Sequence, residues 1–111
     1  MMGVPDAGRP VAQPRRGRPW QGCAAVSPLP ALTLVRAVQR SVAQAQRAAF
    51  FDWSAEVTRS PCRLPEMARA DPPLLRPDLV HFTPDGYRLT AERLHAQILR
   101  GMGLSTRIAS I

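Results

Sequence analysis

The sequence predicts an α/β fold with a parallel sheet, and three observations support this. Apolar residues recur at spacings of 4, 3, 4, 3 and 4, the period of an amphipathic helix of about 18 residues; they are Ala31, Val35, Val38, Val42, Ala45 and Ala49. An aromatic run with strand character, Phe50 to Trp53, follows directly. A helix followed at once by a buried strand is typical of parallel sheets. The chain has 111 residues, fewer than the roughly 150 of a complete five-stranded doubly wound sheet, so we expect an incomplete sheet.

Two further segments follow the predicted strand. Five prolines between Ser60 and Pro77 predict a loop region in which residues 64–70 form one or two helical turns. The last element begins at Thr83, which we expect to be an N-cap followed by proline at the first helical position. Its apolar positions again recur at spacings of 4, 3 and 4, and Gly101 is expected to end the helix; these positions are Tyr87, Ala91, Leu94 and Ile98.

The composition excludes several functions. The chain contains neither lysine nor asparagine, which rules out a P-loop lysine, a Schiff-base lysine and an N-glycosylation site. The net charge of +7 is concentrated in residues 1–50, where seven arginines face one acid. Residues 1–27 are rich in arginine and proline and predict an irregular segment; its arginines are Arg9, Arg15, Arg16 and Arg18. Such a segment fits a phosphate backbone, but no nucleic-acid motif accompanies it, so we expect no nucleic-acid partner.

The remaining composition indicates no membrane span, metal or cofactor. The longest apolar stretch, residues 24–35, is broken by two prolines, and no apolar region typical of a signal peptide follows the first arginines. His81 and His95 lie 14 positions apart and far from both cysteines, which is not the spacing of a zinc site. Cys23 and Cys62 can pair or stay free, and the sequence leaves both possibilities open.

The candidate chemistry lies at Asp78 and His81. An aspartate three residues before a histidine, just upstream of a capped helix, can accept a hydrogen bond from one imidazole nitrogen and leave the other free. This arrangement orients a histidine that removes a proton from a nucleophile, as in a serine triad. The same pattern also arises when the aspartate is only a local cap.

The surrounding residues resemble the C-terminal portion of the SGNH (GDSL-type) hydrolases. The most specific element is D-x-V-H-F-T-x-x-G-Y at Asp78 to Tyr87, and F-D-W at Phe51 to Trp53 resembles the family's final strand. The resemblance covers residues 28–104, with a weaker echo at residues 4–6 and 17–20, and leaves residues 105–111 as a tail. It implies a three-layer α/β/α sandwich and hydrolysis of carboxylic esters, often acetyl groups on carbohydrates. It also implies that His81 is the general base and Asp78 its orienting partner.

Two parts of the family's machinery have no counterpart here. The family's nucleophile is a serine that follows Gly-Asp, and none of the six serines does so. Its oxyanion hole uses an asparagine, which this chain lacks. We therefore expect a fragment that is inactive alone, with an ester as substrate only in a complete domain. Two alternatives are a non-catalytic interaction module, which associates through an unpaired sheet edge, and a basic nucleic-acid-binding protein.

Four other residues have a simpler interpretation. We expect Asp52 to be a polar residue at a sheet edge and His95 to lie on the polar or boundary face of the last helix. Trp20 and Trp53 are expected to be packing residues rather than substrate platforms.

Overall fold

A computed structural model describes residues 1–12 and 21–103, and this part of the chain mixes helices with short strands. The strands are β1 (Met2–Gly3), β2 (Gly8–Pro10), β3 (Val26–Pro28) and β4 (Phe51–Asp52). The helices are α1 (Ala31–Ala45), α2 (Leu64–Arg69) and α3 (Pro84–Gly101). β1 and β4 pair in parallel, which confirms the α/β class in its general form. No helix in these residues is long and apolar enough to cross a membrane.

Helix side chains cover both edges of the parallel pair. On the outer edge of β1, Gln39 of α1 accepts from the Val4 N–H at 3.0 Å and donates to the Met2 carbonyl at 3.4 Å. On the outer edge of β4, Gln97 of α3 donates to the Phe50 carbonyl at 3.0 Å. Strand edges expose backbone groups that need partners, and the two glutamines supply them. No strand among the described residues pairs with the outer edge of β1, and side chains of α1 bind its backbone groups instead.

The described residues on either side of 13–20 form strands, whereas an irregular segment was predicted over residues 1–27. β1 pairs with β4, and β2 pairs antiparallel with β3, so strands occur both before and after the undescribed residues 13–20. The Asp6 side chain is buried. Its carboxylate accepts hydrogen bonds from Ser54 and Thr58, both at 2.7 Å, and from Arg36 at 3.3 Å. The prediction missed these strands because their partners are distant in sequence. Arg15, Arg16, Arg18 and Trp20 lie outside the described residues, as do residues 104–111.

Helix α1 packs against the strands with its polar face. It ends at Ala45, four residues before the predicted end, because Arg47 adopts a left-handed backbone with φ of 52°. Gln39 and Arg36 face β1, and Arg40 binds Asp52 at 2.5 Å. The predicted apolar stripe is therefore exposed; Val35, Val38 and Val42 are its largest members, with Leu34 beside them.

The segment between β4 and the last helix is compact. A π-helical turn at Ser54–Thr58 and a 3₁₀ turn at Pro61–Arg63 precede α2. The predicted helical turns over residues 64–70 are confirmed by α2. Cys23 and Cys62 form a disulfide, which decides the alternative that the sequence left open.

The hydrophobic core is formed by side chains of this segment together with one residue each from β3 and β4. It contains Val26, Phe51, Val57, Leu64, Met67, Leu75, Leu79 and Phe82. The N-cap prediction is confirmed, because the Thr83 hydroxyl accepts from the Gly86 N–H at 3.1 Å. The predicted apolar stripe of α3 is wrong in part, since Tyr87 and Ile98 are exposed while Gly86 and Thr90 are buried. The helix turns this face inward because Thr90 accepts a hydrogen bond from the Trp53 indole at 3.0 Å.

Candidate functional site

Asp78 and His81 lie in a tight turn between α2 and α3. An antiparallel bridge joins Leu75 to Phe82, and the Arg76 N–H donates to the His81 carbonyl at 2.8 Å. The Leu79 N–H donates back to the Arg76 carbonyl at 3.0 Å. These bonds reverse the chain and bring the Asp78 and His81 side chains onto the same side of the turn.

The Asp78 carboxylate binds three donors within its own turn. Its Oδ1 accepts from the backbone N–H groups of Val80 at 2.9 Å and His81 at 3.0 Å, and its Oδ2 lies 2.5 Å from His81 Nδ1. The imidazole hydrogen bond and these two N–H groups hold the pKa of Asp78 at about 2, below its ordinary 3.8. The carboxylate is thus ionised at neutral pH and can only accept, so the proton of a neutral His81 ring belongs on Nδ1.

This geometry leaves the other imidazole nitrogen available. The His81 side chain is 69% exposed and that of Asp78 46% exposed, so the pair lies at the surface. With Nδ1 occupied by Asp78, Nε2 carries the lone pair of the neutral ring and faces no described hydrogen-bond donor. Chemically, the pair can orient an imidazole and stabilise its protonated form, which are the tasks of the base and orienting acid in a triad.

Packing on the C-terminal side of the turn fixes where the pair sits. The Phe82 ring lies 5.0 Å from the Trp53 ring, which confirms Trp53 as a packing residue. The Thr83 hydroxyl donates to the Pro73 carbonyl at 2.5 Å and also caps α3. A Cβ atom on Gly86 would lie only 2.0 Å from the Leu74 carbonyl oxygen, so the first turn of α3 approaches the backbone of Leu74 closely.

The described part of the chain brings no nucleophile to His81. The serines at 27, 41, 54 and 60 make no hydrogen bond to the imidazole, and Ser54 donates instead to Asp6. Ser105 and Ser110 lie outside the described residues. Asp52 binds Arg40 and caps the Ala55 N–H, as expected of a polar residue at a sheet edge. His95 is exposed on α3, on its polar side as predicted.

The sequence did not indicate that Leu79 and Gly8 hold the turn of Asp78 and His81 in place. Leu79 has a left-handed backbone with φ of 61° and is only 3% exposed. The Gly8 N–H donates to its carbonyl at 3.2 Å. An apolar residue inside Asp-x-x-His was the visible signal for Leu79, but nothing in the sequence linked it to Gly8.

Comparisons of the chain with protein-family models, curated proteins and solved structures found no match. Within the described residues, no group of three or more His, Cys, Asp or Glu side chains is arranged to hold a metal ion. The geometry of Asp78 and His81 is thus the feature from which a function can be argued.

Proposed function

We propose that this chain is the C-terminal portion of an SGNH (GDSL-type) ester hydrolase, in which His81 is the general base and Asp78 its orienting acid. The observation that carries the proposal is the 2.5 Å contact between Asp78 Oδ2 and His81 Nδ1, which leaves Nε2 available. The resemblance of Asp78 to Tyr87 to the family's last block supports it. The parallel pairing of β1 with β4 is compatible with part of the family's three-layer sandwich.

The chain by itself lacks the groups that make such a base effective. Without a nucleophile beside Nε2 and without oxyanion donors, an oriented imidazole adds little to the rate of ester hydrolysis. We therefore expect the isolated chain to hydrolyse p-nitrophenyl acetate no faster than its His81→Ala variant. Turnover that disappears in His81→Ala but persists in His95→Ala would contradict this expectation, and serine-to-alanine variants would then separate a serine nucleophile from direct attack by the His81 imidazole.

A second experiment tests the relationship itself. The DNA upstream of the Met1 codon is read in all frames for a Gly-Asp-Ser strand end and an asparagine-containing block. If such a polypeptide is encoded, its co-expression with this chain is expected to produce esterase activity that His81→Ala abolishes and His95→Ala preserves. Upstream DNA without either element, or activity that His81→Ala leaves intact, would contradict the proposal.

The exposed face of α1 favours a second candidate, a non-catalytic interaction module. Leu34 is 68% and Val38 55% exposed, and together with Val35 and Val42 they form a continuous apolar stripe. Contiguous apolar surface of this kind is typical of association sites. If the stripe mediates association, the sedimentation coefficient will increase with protein concentration, and Val38→Asp will remove this increase. Gln44→Asp, at an exposed polar position of α1, is the matched control, and equal behaviour of both variants would contradict this function.

A further inference from the structure

One buried side chain anchors the turn that carries Asp78 and His81. Asp78, Val80 and His81 are exposed, whereas the Leu79 side chain is buried in the core. Leu79 nevertheless adopts φ of 61°, a left-handed conformation that is unfavourable for a residue with a Cβ. The surrounding structure must hold it there, and burial of the side chain supplies a compensating gain.

Two other segments lie beside the buried Leu79 side chain and share a cavity with it. Leu79 and Pro77 line a small cavity of about 130 Å³ together with Pro10 and Ala25 from the N-terminal strands and their 3₁₀ turn. Its other wall is α2, through Pro65, Ala68 and Arg69. The Gly8 N–H adds a backbone hydrogen bond to the Leu79 carbonyl. The turn is thus held by both its side chain and its backbone.

The disulfide ties these two walls to each other. Cys23 lies in the 3₁₀ turn Gly22–Ala25 that leads into β3, and Cys62 lies in the 3₁₀ turn immediately before α2. Their Cα atoms are 4.2 Å apart although 39 positions separate them in the sequence. The two segments that line the cavity beside Leu79 are therefore joined by a covalent link.

We propose that Leu79 is a positioning residue for the Asp78–His81 pair, and that the Cys23–Cys62 disulfide keeps the two segments beside Leu79 in place. This inference rests on the proposed function for the role of the pair. With the Leu79 side chain in the core, the backbone of the turn directs the Val80 and His81 N–H groups at Asp78 Oδ1, and Oδ2 is left to accept the hydrogen bond from the imidazole Nδ1–H. When the Leu79 side chain leaves the core, those N–H groups no longer point at Asp78 Oδ1, and the His81 ring rotates freely.

The test measures the pair directly in the isolated chain by NMR. The ¹⁵N shifts of the His81 ring identify which nitrogen carries the proton of the neutral form, and ¹³C carboxyl shifts follow the titration of Asp78. We expect the wild type to show the Nδ1–H form and an Asp78 pKa of about 2. In Leu79→Ala we expect a mixture of tautomers and a pKa that rises toward 3.8.

Two variants separate positioning from loss of stability. Leu79→Met preserves the volume of the anchor and should restore the wild-type signature. Val57→Ala removes a buried side chain of the same core, 3% exposed, and should lower stability without changing the tautomer. An unchanged tautomer in Leu79→Ala, or an equal change in Val57→Ala, would overturn the proposal.

Reduction of the disulfide gives an independent measurement if Leu79→Ala does not fold. In the reduced wild type we expect faster amide exchange at Gly8 and loss of the Nδ1–H signature at His81. If a folded, reduced chain keeps slow amide exchange at Gly8 and the Nδ1–H signature at His81, the proposed role of the disulfide is overturned. Because these signals do not depend on turnover, the result stands or fails separately from the ester-hydrolysis experiments.

Discussion

Replacing Asp6 with alanine tests how the N-terminal segment is held in this fold. The Asp6 carboxylate accepts from the buried hydroxyls of Ser54 and Thr58 and from the partly buried guanidinium of Arg36. Alanine removes all three acceptor contacts at once. It also leaves two buried hydroxyls and one largely buried positive charge without their carboxylate.

The expected loss follows from those contacts. Breaking a buried ion pair by removing one partner costs about 3–5 kcal/mol, and each buried polar group left without a partner costs about 1–3 kcal/mol. These costs overlap because the three donors share one carboxylate, so we expect Asp6→Ala to lose about 3–5 kcal/mol of unfolding free energy. Domains of this size are stable by about 5–15 kcal/mol in total, so the variant should be close to unfolding.

Urea denaturation followed by tryptophan fluorescence and by circular dichroism measures this loss. Glu92→Ala, an exposed acid in the middle of α3, is the control and should change stability by less than about 0.5 kcal/mol. A double-mutant cycle with Thr58→Val should show a coupling energy, since the two side chains are in direct contact. A loss below about 1 kcal/mol in Asp6→Ala, or zero coupling, would refute the view that this cluster anchors the segment.

Three further predictions concern the turn and its supports. The Gly86→Ala variant should unfold at a markedly lower urea concentration than the wild type, because its Cβ would meet a carbonyl oxygen at 2.0 Å. As a control, Gly101→Ala has nothing within 4 Å of the new Cβ, and its unfolding free energy should be unchanged or higher by about 0.5 kcal/mol. The pKa of Asp78 is lower in the folded chain than its ordinary 3.8, so its contribution to stability is present above about pH 4 and lost as the pH falls toward 2. An Asp78→Asn variant should lack this pH-dependent part of the unfolding free energy. The same pH dependence of stability in the variant and the wild type would contradict the prediction. Reducing the Cys23–Cys62 disulfide opens a loop of 39 positions and should cost about 4 kcal/mol, measured as a shift of the urea midpoint with and without reductant.

Local signals in the sequence predicted several features that the structure confirms. The Thr83 cap, the helical turns over 64–70 and the hydrogen bond between Asp78 and His81 all depend on residues within four positions of each other. The parallel pairing of β4 was also predictable, because a strand directly after a helix is typical of parallel sheets. Such features follow from short-range sterics and hydrogen bonding, which the sequence displays directly.

The orientation of α1 could not be predicted in this way. The 4, 3, 4 spacing identifies an apolar face, and burying such a face is the ordinary expectation. Here the backbone groups at the edge of β1 have no neighbouring strand among the described residues, and Gln39 and Arg36 satisfy them. Because an unpaired backbone group in a partly buried position is costly, the helix places its polar side inward and leaves the valines exposed.

The sequence by itself determined the local chemistry of this protein: an acid and a histidine three positions apart before a capped helix, in a chain without asparagine or a serine after Gly-Asp. Only the tertiary structure decided what supports that pair. Leu79 meets Gly8 across 71 positions of sequence, and Cys23 meets Cys62 across 39. Contacts of this range depend on how the chain packs as a whole, and no periodicity or spacing within one segment encodes which distant residue will fill the space beside it.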